Sequence, residues 1–190
     1  MVEQNIERYH PDVVVVAGDI THFGPVSWAR DFLDHIPIKT FAVHGNCDPF
    51  EVIDEIDRSR AELLHRRRVE YEGYTFVGLG GSNPTPFLTL VEEAEHEIAE
   101  LSDVMEHEVI LVSHAPSLGH VDLTHAGSHA GSTALADLVR DFSPIIHVSG
   151  HIHEARGIEM TDSTLFVNPG KAAQGYAALI DVKKREARLI

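Results

Sequence analysis

VVVVAGDIT, from Val13 to Thr21, is an apolar run followed directly by a glycine and an aspartate. A short, continuous apolar run that ends in turn residues predicts a buried strand. Gly18 allows the chain to turn sharply after that strand, which places Asp19 just beyond its carboxyl end. Ligands of α/β sheets bind beyond the carboxyl ends of the strands, so Asp19 is a candidate site residue. An aspartate at this place can also serve only to stabilise the turn.

Three further apolar runs end in residues that can bind a metal. Thr40–Val43 leads into Gly45-Asn46-Cys47-Asp48, Val109–Val112 into Ser113-His114, and Ile145–Val148 into Gly150-His151-Ile152-His153. Carboxylate, amide and imidazole groups together suit a hydrolytic divalent metal centre. If the last segment is extended, its two histidines send their rings to the same side. We therefore predict a metal centre formed by the side chains of Asp19, Asn46, His114, His151 and His153.

Strand-like and helix-like segments alternate along the chain, which predicts an α/β protein. Strands are expected at residues 12–17, 40–44, 75–79, 109–113 and 145–149, with a hairpin over 68–80 and successive antiparallel strands at 157–161, 164–167, 177–182 and 186–189. Helices are expected at 26–34, 50–65, 90–101 and 132–141, and residues 1–9 are also helix-like. Ser132 is expected to cap the helix that it begins. The sequence shows no repeat or linker, so a single domain is predicted for residues 1–190.

Composition limits the classes of protein that this chain can be. It has 190 residues, of which 43% are hydrophobic and 24% charged, as in a soluble globular domain. It lacks the apolar run of about 18 residues that a membrane span needs, and no signal peptide is visible. A single cysteine excludes an internal disulfide, so a cytoplasmic location and no membrane partner are expected.

The net charge of −15 bears on the partner. Nonspecific nucleic-acid binding depends on phosphate neutralisation by lysine and arginine, so a nucleic-acid partner is disfavoured. An anionic substrate would be repelled at long range unless bound cations reversed the field locally. We therefore expect a small phosphate ester as substrate, and the sequence is compatible with a homo-oligomer.

The same segments resemble a known family. GDIT at 18–21, GNCD at 45–48, SHAP at 113–116 and GHIHE at 150–154 look like four of the five motifs of calcineurin-like metallophosphoesterases, in the family's order. NPG at 168–170 resembles a segment that is common after the last motif. The resemblance covers most of the chain, from about Pro11 to Gly170. It implies a four-layer α-β-β-α sandwich of two mixed sheets, whereas periodicity alone predicts only α/β.

The family's first motif, Asp-x-His at the end of an N-terminal strand, is absent. His10 precedes the first predicted strand and so lies at the wrong end of it to be a ligand. Loss of an internal strand would expose apolar edges and unpaired backbone groups, which proteins avoid. We therefore expect that the gene begins upstream and that the longer product carries a strand ending in Asp-x-His.

The resemblance implies a role for each metal-binding side chain. Asp19 would bridge two divalent ions, with Asn46, His114 and His151 on one ion and His153 on the other. Mn²⁺, Fe, Ni²⁺ or Zn²⁺ all suit this set of nitrogen and oxygen ligands. The ion beside His153 keeps only two protein ligands, so it should be bound more weakly and ester hydrolysis should be impaired.

Cys47 stands where the commoner version of the motif has histidine, and cysteine there resembles a subset of phosphodiesterases. A free cysteine is more often a buried small hydrophobe, although exposure beside metals would favour its thiolate. Asp48 is expected to orient a neighbour, as carboxylates behind metal ligands do. Asparagine in a turn such as that of Asn46 often only stabilises the turn.

Two loops are candidates for contacts with the substrate. The histidine-rich loop at residues 116–132 is either a mobile surface loop or a cover over the site, and His129 is its candidate substrate contact. Asn83, in the Gly-Gly-Ser-Asn-Pro-Thr-Pro loop at 80–86, is a second one. Four other histidines are expected to be solvated, namely His35, His65, His96 and His107.

These observations favour a metal-dependent phosphoesterase, more specifically a phosphodiesterase. The rival is a catalytically impaired scaffold or protein-binding module, because a retromer coat subunit uses this fold as a platform. Retention of the four later motifs argues against that rival. A nuclease is disfavoured by the acidic charge and by the lack of an added DNA-binding segment.

Overall fold

The computed structural model describes residues 2–87 and 89–190 of the chain. The helices are α1 (Val2–Tyr9), α2 (Ser27–Asp34), α3 (Val52–Arg58), α4 (Glu95–Ala99) and α5 (Thr133–Phe142). The strands are β1 (Val13–Ala17), β2 (Lys39–Val43), β3 (Glu62–Leu63), β4 (Arg68–Tyr71), β5 (Tyr74–Leu79), β6 (Ile110–Ser113), β7 (Ile146–Val148), β8 (Gly157–Met160), β9 (Leu165–Asn168), β10 (Ala178–Asp181) and β11 (Glu186–Leu189). Short 3-10 helices lie at Glu100–Asp103, His153–Ala155 and Ala172–Gln174.

Two sheets form the centre of the molecule. Strands β1, β2 and β3 make a parallel sheet in that order, and a six-stranded mixed sheet has the order β4-β5-β6-β7-β9-β8. Three apolar cores separate the layers. One joins α2 and α3 to the parallel sheet, one lies between the two sheets, and one joins α4 and α5 to the mixed sheet. The expected four-layer α-β-β-α architecture is thereby confirmed.

The unbroken valine run of β1 follows from this layering. Val13, Val15 and Ala17 pack into the core between the sheets, whereas Val14 and Val16 pack into the core under α2 and α3. Alternate side chains of a strand point to opposite faces, so a strand with helices on one side and a sheet on the other needs apolar residues throughout. β1 forms one edge of its sheet.

Two predicted helices are shorter than expected. The helix predicted at 50–65 ends at Arg58, because Ser59 adopts an extended conformation and its hydroxyl caps the Ile56 carbonyl. The chain then forms β3, which pairs with β2 and buries Leu63. The helix predicted at 90–101 starts only at Glu95, because residues 82 and 91–93 form a short backbone ladder.

The other helices agree with the sequence-based prediction. Ser132 caps α5 and accepts a hydrogen bond from the Leu135 amide at 3.1 Å, as expected. The helix-like start of the chain forms α1, although Met1 itself lies outside the described residues.

The sheets differ from the expectation in two respects. The smaller sheet is entirely parallel rather than mixed, and the four C-terminal strands are not one antiparallel series. β8 pairs with β9 in the mixed sheet, where β9 also runs parallel to β7, whereas β10 and β11 form a separate hairpin. Residues 169–177, with a 3-10 helix among them, separate the two pairs in the sequence.

Within the described residues, no helix combines the length and the apolar character that crossing a membrane requires.

Candidate metal centre

The candidate site lies where the carboxyl ends of four strands meet, two from each sheet. β1 and β2 supply the turns at Asp19 and Asn46, and β6 and β7 supply the turns at His114 and His151. The four ends meet because the core between the sheets packs β2 against β6 and β7. The ligands therefore come from two facing sheets, and not from the edge of one open sheet as the sequence pattern alone suggested.

The turns after β1 and β2 approach each other so closely that only glycine fits between them. A Cβ atom at Gly45 would collide with the amide and carboxylate of Asp19, and one at Gly18 would collide with His114. Asp19 itself has a φ of +50°, which an aspartate tolerates better than most residues. The Cys47 amide donates to Oδ1 of Asp19 at 2.9 Å and holds the carboxylate in place.

Asp48 is fully buried and joins the same two turns. Its Oδ1 accepts from the amide and hydroxyl of Thr21, at 2.6 and 2.8 Å, and its Oδ2 accepts from the amides of Ile20 and Gly45, at 3.1 and 2.7 Å. Both of its oxygens are therefore used in holding the backbone around Asp19, which is a positioning contact.

The amide of Asn46 is oriented by a chain of hydrogen bonds that the sequence analysis missed. Thr89 donates its hydroxyl proton to Oε1 of Glu92 at 2.6 Å, so its oxygen can only accept the Asn46 amide proton, at 2.8 Å. Burial raises the pKa of Glu92, but hydrogen bonds from Thr85 and Thr89 outweigh it and lower the pKa to about 2. The glutamate is thus an acceptor, and Oδ1 of Asn46 faces the histidines.

His114 has a defined orientation as well. Its Nδ1 lies 2.7 Å from the Ala17 carbonyl oxygen, which can only accept, so Nδ1 carries a proton. Its Nε2 faces Oδ1 of Asn46 at 2.8 Å and Oδ1 of Asp19 at 3.4 Å. The side chain is buried, so these contacts are made away from bulk water.

His151 reaches the same point from β7. Its Nδ1 lies 3.0 Å from Oδ1 of Asn46, and its ring packs edge-on against His114 with centroids 5.1 Å apart. Burial and the neighbouring His114 lower the pKa of His151 to about 4, so the imidazole is neutral near pH 7. A neutral imidazole is the form that binds metals.

His153 lies farther out than the other predicted ligands. The segment after β7 is not extended as expected, because His151 has a φ of +61° and a 3-10 helix begins at His153. The alternation that would send both rings the same way therefore does not apply. Much of the His153 side chain is exposed. The part of the ring that is buried, together with the charge of Lys171, lowers its pKa.

The four converging groups fit a divalent cation. Oxygen and nitrogen lone pairs of Asp19, Asn46 and His114 face one another within 2.8–3.4 Å, and a cation among them would satisfy all three. Amide, carboxylate and imidazole donors are those of Mn²⁺, Fe, Ni²⁺ and Zn²⁺ sites. Among the described residues, no group of three His, Cys, Asp or Glu side chains is arranged to hold a metal by itself, and the set above includes the amide of Asn46.

Cys47 is the one free cysteine and is half-buried beside the site. Burial and the Asp19 carboxylate raise the pKa of its thiol to about 11. The protein's own groups therefore favour the thiol over the thiolate, and Lys171 alone among its charged neighbours opposes this.

The two predicted substrate contacts, Asn83 and His129, lie close to each other. Nδ2 of Asn83 approaches the Ala130 carbonyl at 3.4 Å, while its Oδ1 is buried without a partner among the described residues. His129 is bonded through Nδ1 to Asp122 and leaves 52% of its side chain exposed. The loop that carries His129 is closed at its base by backbone hydrogen bonds between residues 116–118 and 132.

Sequence analysis missed several residues around the site. Thr89 and Glu92 lie at the N-terminal end of the segment predicted as a helix over 90–101, and neither was assigned a role in the site. Lys171 follows the NPG segment, whose Asn168 donates to the Ile152 carbonyl at 2.9 Å.

His44 is a further buried histidine that sequence analysis missed. Neither of its ring nitrogens has a hydrogen-bond partner among the described residues, and burial lowers its pKa to about 3.

His65 is not solvated, contrary to the prediction. Its ring packs on His44, with centroids 4.6 Å apart, and its Nδ1 accepts from the Gly80 amide at 3.0 Å. Burial lowers its pKa to about 4. β3, which the sequence did not predict, brings it inside. His35, His96 and His107 are exposed as expected.

Comparisons with known proteins identify the family and the fold of the chain. Residues 26–189 match the family model described as "Metallophosphoesterase, calcineurin superfamily". An uncharacterized protein of Methanocaldococcus jannaschii is 39% identical over 171 residues, which are 83% of this chain and 77% of that protein. A UPF0046 protein of Caenorhabditis elegans is 26% identical over 113 residues, 59% of this chain and 38% of the relative. The crystal structure of TT1561 of Thermus thermophilus has the same fold, with a TM-score of 0.72 and 16% identity over 98% of this chain and 88% of that one.

Proposed function

The chain belongs to the calcineurin superfamily of metallophosphoesterases, and from that premise we propose that it is a metal-dependent phosphodiesterase. The observation that carries the proposal is the convergence of Asp19, Asn46, His114 and His151 through their lone pairs. Superfamily membership supports hydrolysis of phosphate esters in general. The preference for diesters and the dependence on metal are the proposed part.

The residues present assign the metal ligands. Asp19, Asn46, His114 and His151 would hold one divalent ion, and His153 with Asp19 would hold a second. Bound divalent ions supply Lewis acidity toward phosphoryl oxygens and water. The weaker ligand set of the second ion, with His153 outside the contact cluster, supports tighter binding of the first.

The surrounding residues keep the ligands in place. Asp48 holds the backbone of the Asp19 turn, Thr89 fixes the Asn46 amide, and the Ala17 carbonyl fixes the tautomer of His114. Each ligand therefore presents its lone pair without rearrangement when substrate binds. Such preorganisation is what an electrostatically catalysed reaction needs.

The substrate is proposed to be a small phosphodiester. A net charge of −15 opposes a polyanion such as nucleic acid, whereas a small monoanionic diester is repelled least. Cys47 stands at the motif's usual histidine position, and a thiol is a weak proton donor for a poor leaving group. We expect diester hydrolysis to exceed monoester hydrolysis, because the acidic chain repels a monoanionic diester less than a dianionic monoester.

Hydrolysis of bis-p-nitrophenyl phosphate and of p-nitrophenyl phosphate, with and without added Mn²⁺, tests the proposal. We expect the diester to be cleaved faster, a chelator to abolish both reactions, and His114→Asn to abolish them as well. His96→Asn, on an exposed face of α4, is the matched control and should retain full activity. Inactivity of the folded wild-type chain toward both esters with every candidate metal would favour the scaffold instead.

A further inference from the structure

A buried carboxylate lies in the loop between β6 and α5, outside the metal ligand set. Asp122 is 1% exposed, and its Oδ2 accepts from the amides of Gly119 and Gly131, at 3.1 and 2.9 Å. Its Oδ1 accepts from Nδ1 of His129 at 2.5 Å. The carboxylate is therefore fully satisfied by two glycine amides and one histidine.

This contact defines the chemical state of His129. Burial raises the pKa of Asp122, but the hydrogen bonds from His129 and the two glycine amides outweigh burial and lower it. An ionised carboxylate can only accept, so Nδ1 of His129 carries a proton and Nε2 is the free nitrogen. Half of the His129 side chain is exposed, so the free nitrogen can meet a ligand. A buried carboxylate behind a histidine also stabilises the imidazolium.

The loop is attached to two other segments of the chain. On one side, the Ala130 carbonyl next to His129 accepts from Nδ2 of Asn83 at 3.4 Å. On the other, the His125 amide donates at 3.1 Å to Glu154, which directly follows the last histidine of the motif. These two contacts attach the histidine-bearing loop to the segment after β5 and to the residue that follows His153.

We propose that His129 protonates the leaving oxygen of the phosphate ester and that Asp122 is the residue that positions it. The inference rests on the proposed function. Water adds to phosphorus and the bond from phosphorus to the leaving oxygen breaks, with its electron pair going to that oxygen. The Nε2 proton of the His129 imidazolium passes to the oxygen, which leaves as an alcohol. The attacking water releases one proton to solution, and Nε2 takes one up, so the cycle closes.

A leaving-group series tests the role of His129. The substrates are methyl p-nitrophenyl phosphate, whose leaving group needs little protonation, and methyl phenyl phosphate, whose leaving group needs more. We expect His129→Gln to lower kcat for the phenyl ester by on the order of 10²–10⁴-fold and to affect the p-nitrophenyl ester far less. His125→Gln, in the same loop, is the matched control and should hydrolyse both esters like the wild type. Equal losses for the two esters in His129→Gln would overturn the assignment.

Asp122 is tested through its coupling to His129. Asp122→Asn should show the same leaving-group dependence, and adding it to His129→Gln should cost nothing further if it acts only through the histidine. Imidazole ¹⁵N spectra should show the Nδ1–H form of His129 in the wild type and its loss in Asp122→Asn. Additive losses, or an unchanged spectrum, would contradict the positioning role.

Two outcomes separate this inference from the proposed function. If the wild type hydrolyses neither ester, the proposed function fails and this assignment fails with it. If the wild type is active but His129→Gln shows no leaving-group dependence, only this assignment fails. Should Asp122→Asn not fold, His129→Gln still decides, because it leaves the bonds from Gly119 and Gly131 to Asp122 in place.

Discussion

At the scale of single residues, the function of the site depends on which way one amide faces. Asn46 presents its oxygen to the histidines because Thr89 accepts one of its amide protons and donates its own hydroxyl proton to Glu92. These roles follow from which groups can donate and which can accept: the Thr89 oxygen can take only the amide side of Asn46, which leaves the amide oxygen to face the histidines.

Thr89 offers a direct test of that counting. Thr89→Val keeps the shape but removes the acceptor, so the Asn46 amide loses its fixed orientation and metal affinity should fall by about 10- to 100-fold. Thr89→Ser keeps the hydroxyl and should bind metal like the wild type. The measurement is a competition titration of Mn²⁺ against a chelator. Equal affinities for the valine and serine variants would refute the orienting role.

Buried histidines should make stability depend on pH. His147 is buried, bonds Ser113 through Nε2 at 2.7 Å, and has a pKa lowered from 6.5 to about 3 by burial. Below pH 6.5 the imidazole of His147 therefore binds a proton in the unfolded chain, whereas in the folded chain it stays neutral until the pH falls to about 3. The stabilising effect is complete above pH 6.5 and is lost progressively toward pH 3.

Urea unfolding at about pH 7.5 and about pH 5, with a chelator present, measures this effect. We expect the free energy of unfolding to be lower at the acidic pH. His147→Gln should make this difference smaller, because the variant takes up about one proton fewer when it unfolds at acidic pH. His96→Gln, which changes an exposed histidine, should keep the wild-type difference. A His147→Gln slope equal to that of the wild type would show that this histidine does not carry the effect.

At the scale of elements, the sequence revealed the strands and the turns better than it revealed the helices. The runs at β1, β2, β6 and β7 were predicted because these strands pack against apolar cores and most of their residues are therefore apolar. The helix predicted at 50–65 was wrong beyond Arg58, because a buried Leu63 looks the same in a short strand as in a helix.

The site was predicted to the extent that it depends on strand ends. Asp19, Asn46, His114 and His151 follow strands directly, and the structure brings them together. The position of His153 was not predictable, since it depends on the left-handed φ of His151. Glu92 and Asp122 bond to residues nearby in sequence, Thr89 and His129, but these pairs form only in irregular loop conformations that the sequence pattern did not predict.

The close approach of the turns after β1 and β2 can be tested with a single methyl group. Gly45→Ala would place a Cβ against the Asp19 carboxylate, so the turn must move and Asp19 with it. We expect the variant to fold but to lose most of its metal affinity. Gly157→Ala, whose added Cβ would meet only ordinary contacts, should bind metal normally. Unimpaired metal binding in Gly45→Ala would mean that Asp19 is not held where the ligand role requires it.

At the scale of the whole molecule, an acidic chain is proposed to act on an anion. The net charge is −15, and one of the carboxylates that contribute to it, that of Asp19, lies in the ligand set itself. Lys171 is the cation whose charge reaches both Cys47 and His153. Bound divalent cations, with Lys171 beside them, would therefore provide the local positive potential that a phosphate ester needs.

The central claim is that the four strand ends of two facing sheets form a metal centre. Crystals grown with Mn²⁺ and measured for anomalous scattering test it most directly. We predict a strong peak about 2.0–2.2 Å from Nε2 of His114, Oδ1 of Asn46 and the Asp19 carboxylate, and a weaker or absent peak beside His153. An ordered site with no peak among Asp19, Asn46, His114 and His151 at saturating Mn²⁺ would contradict the account.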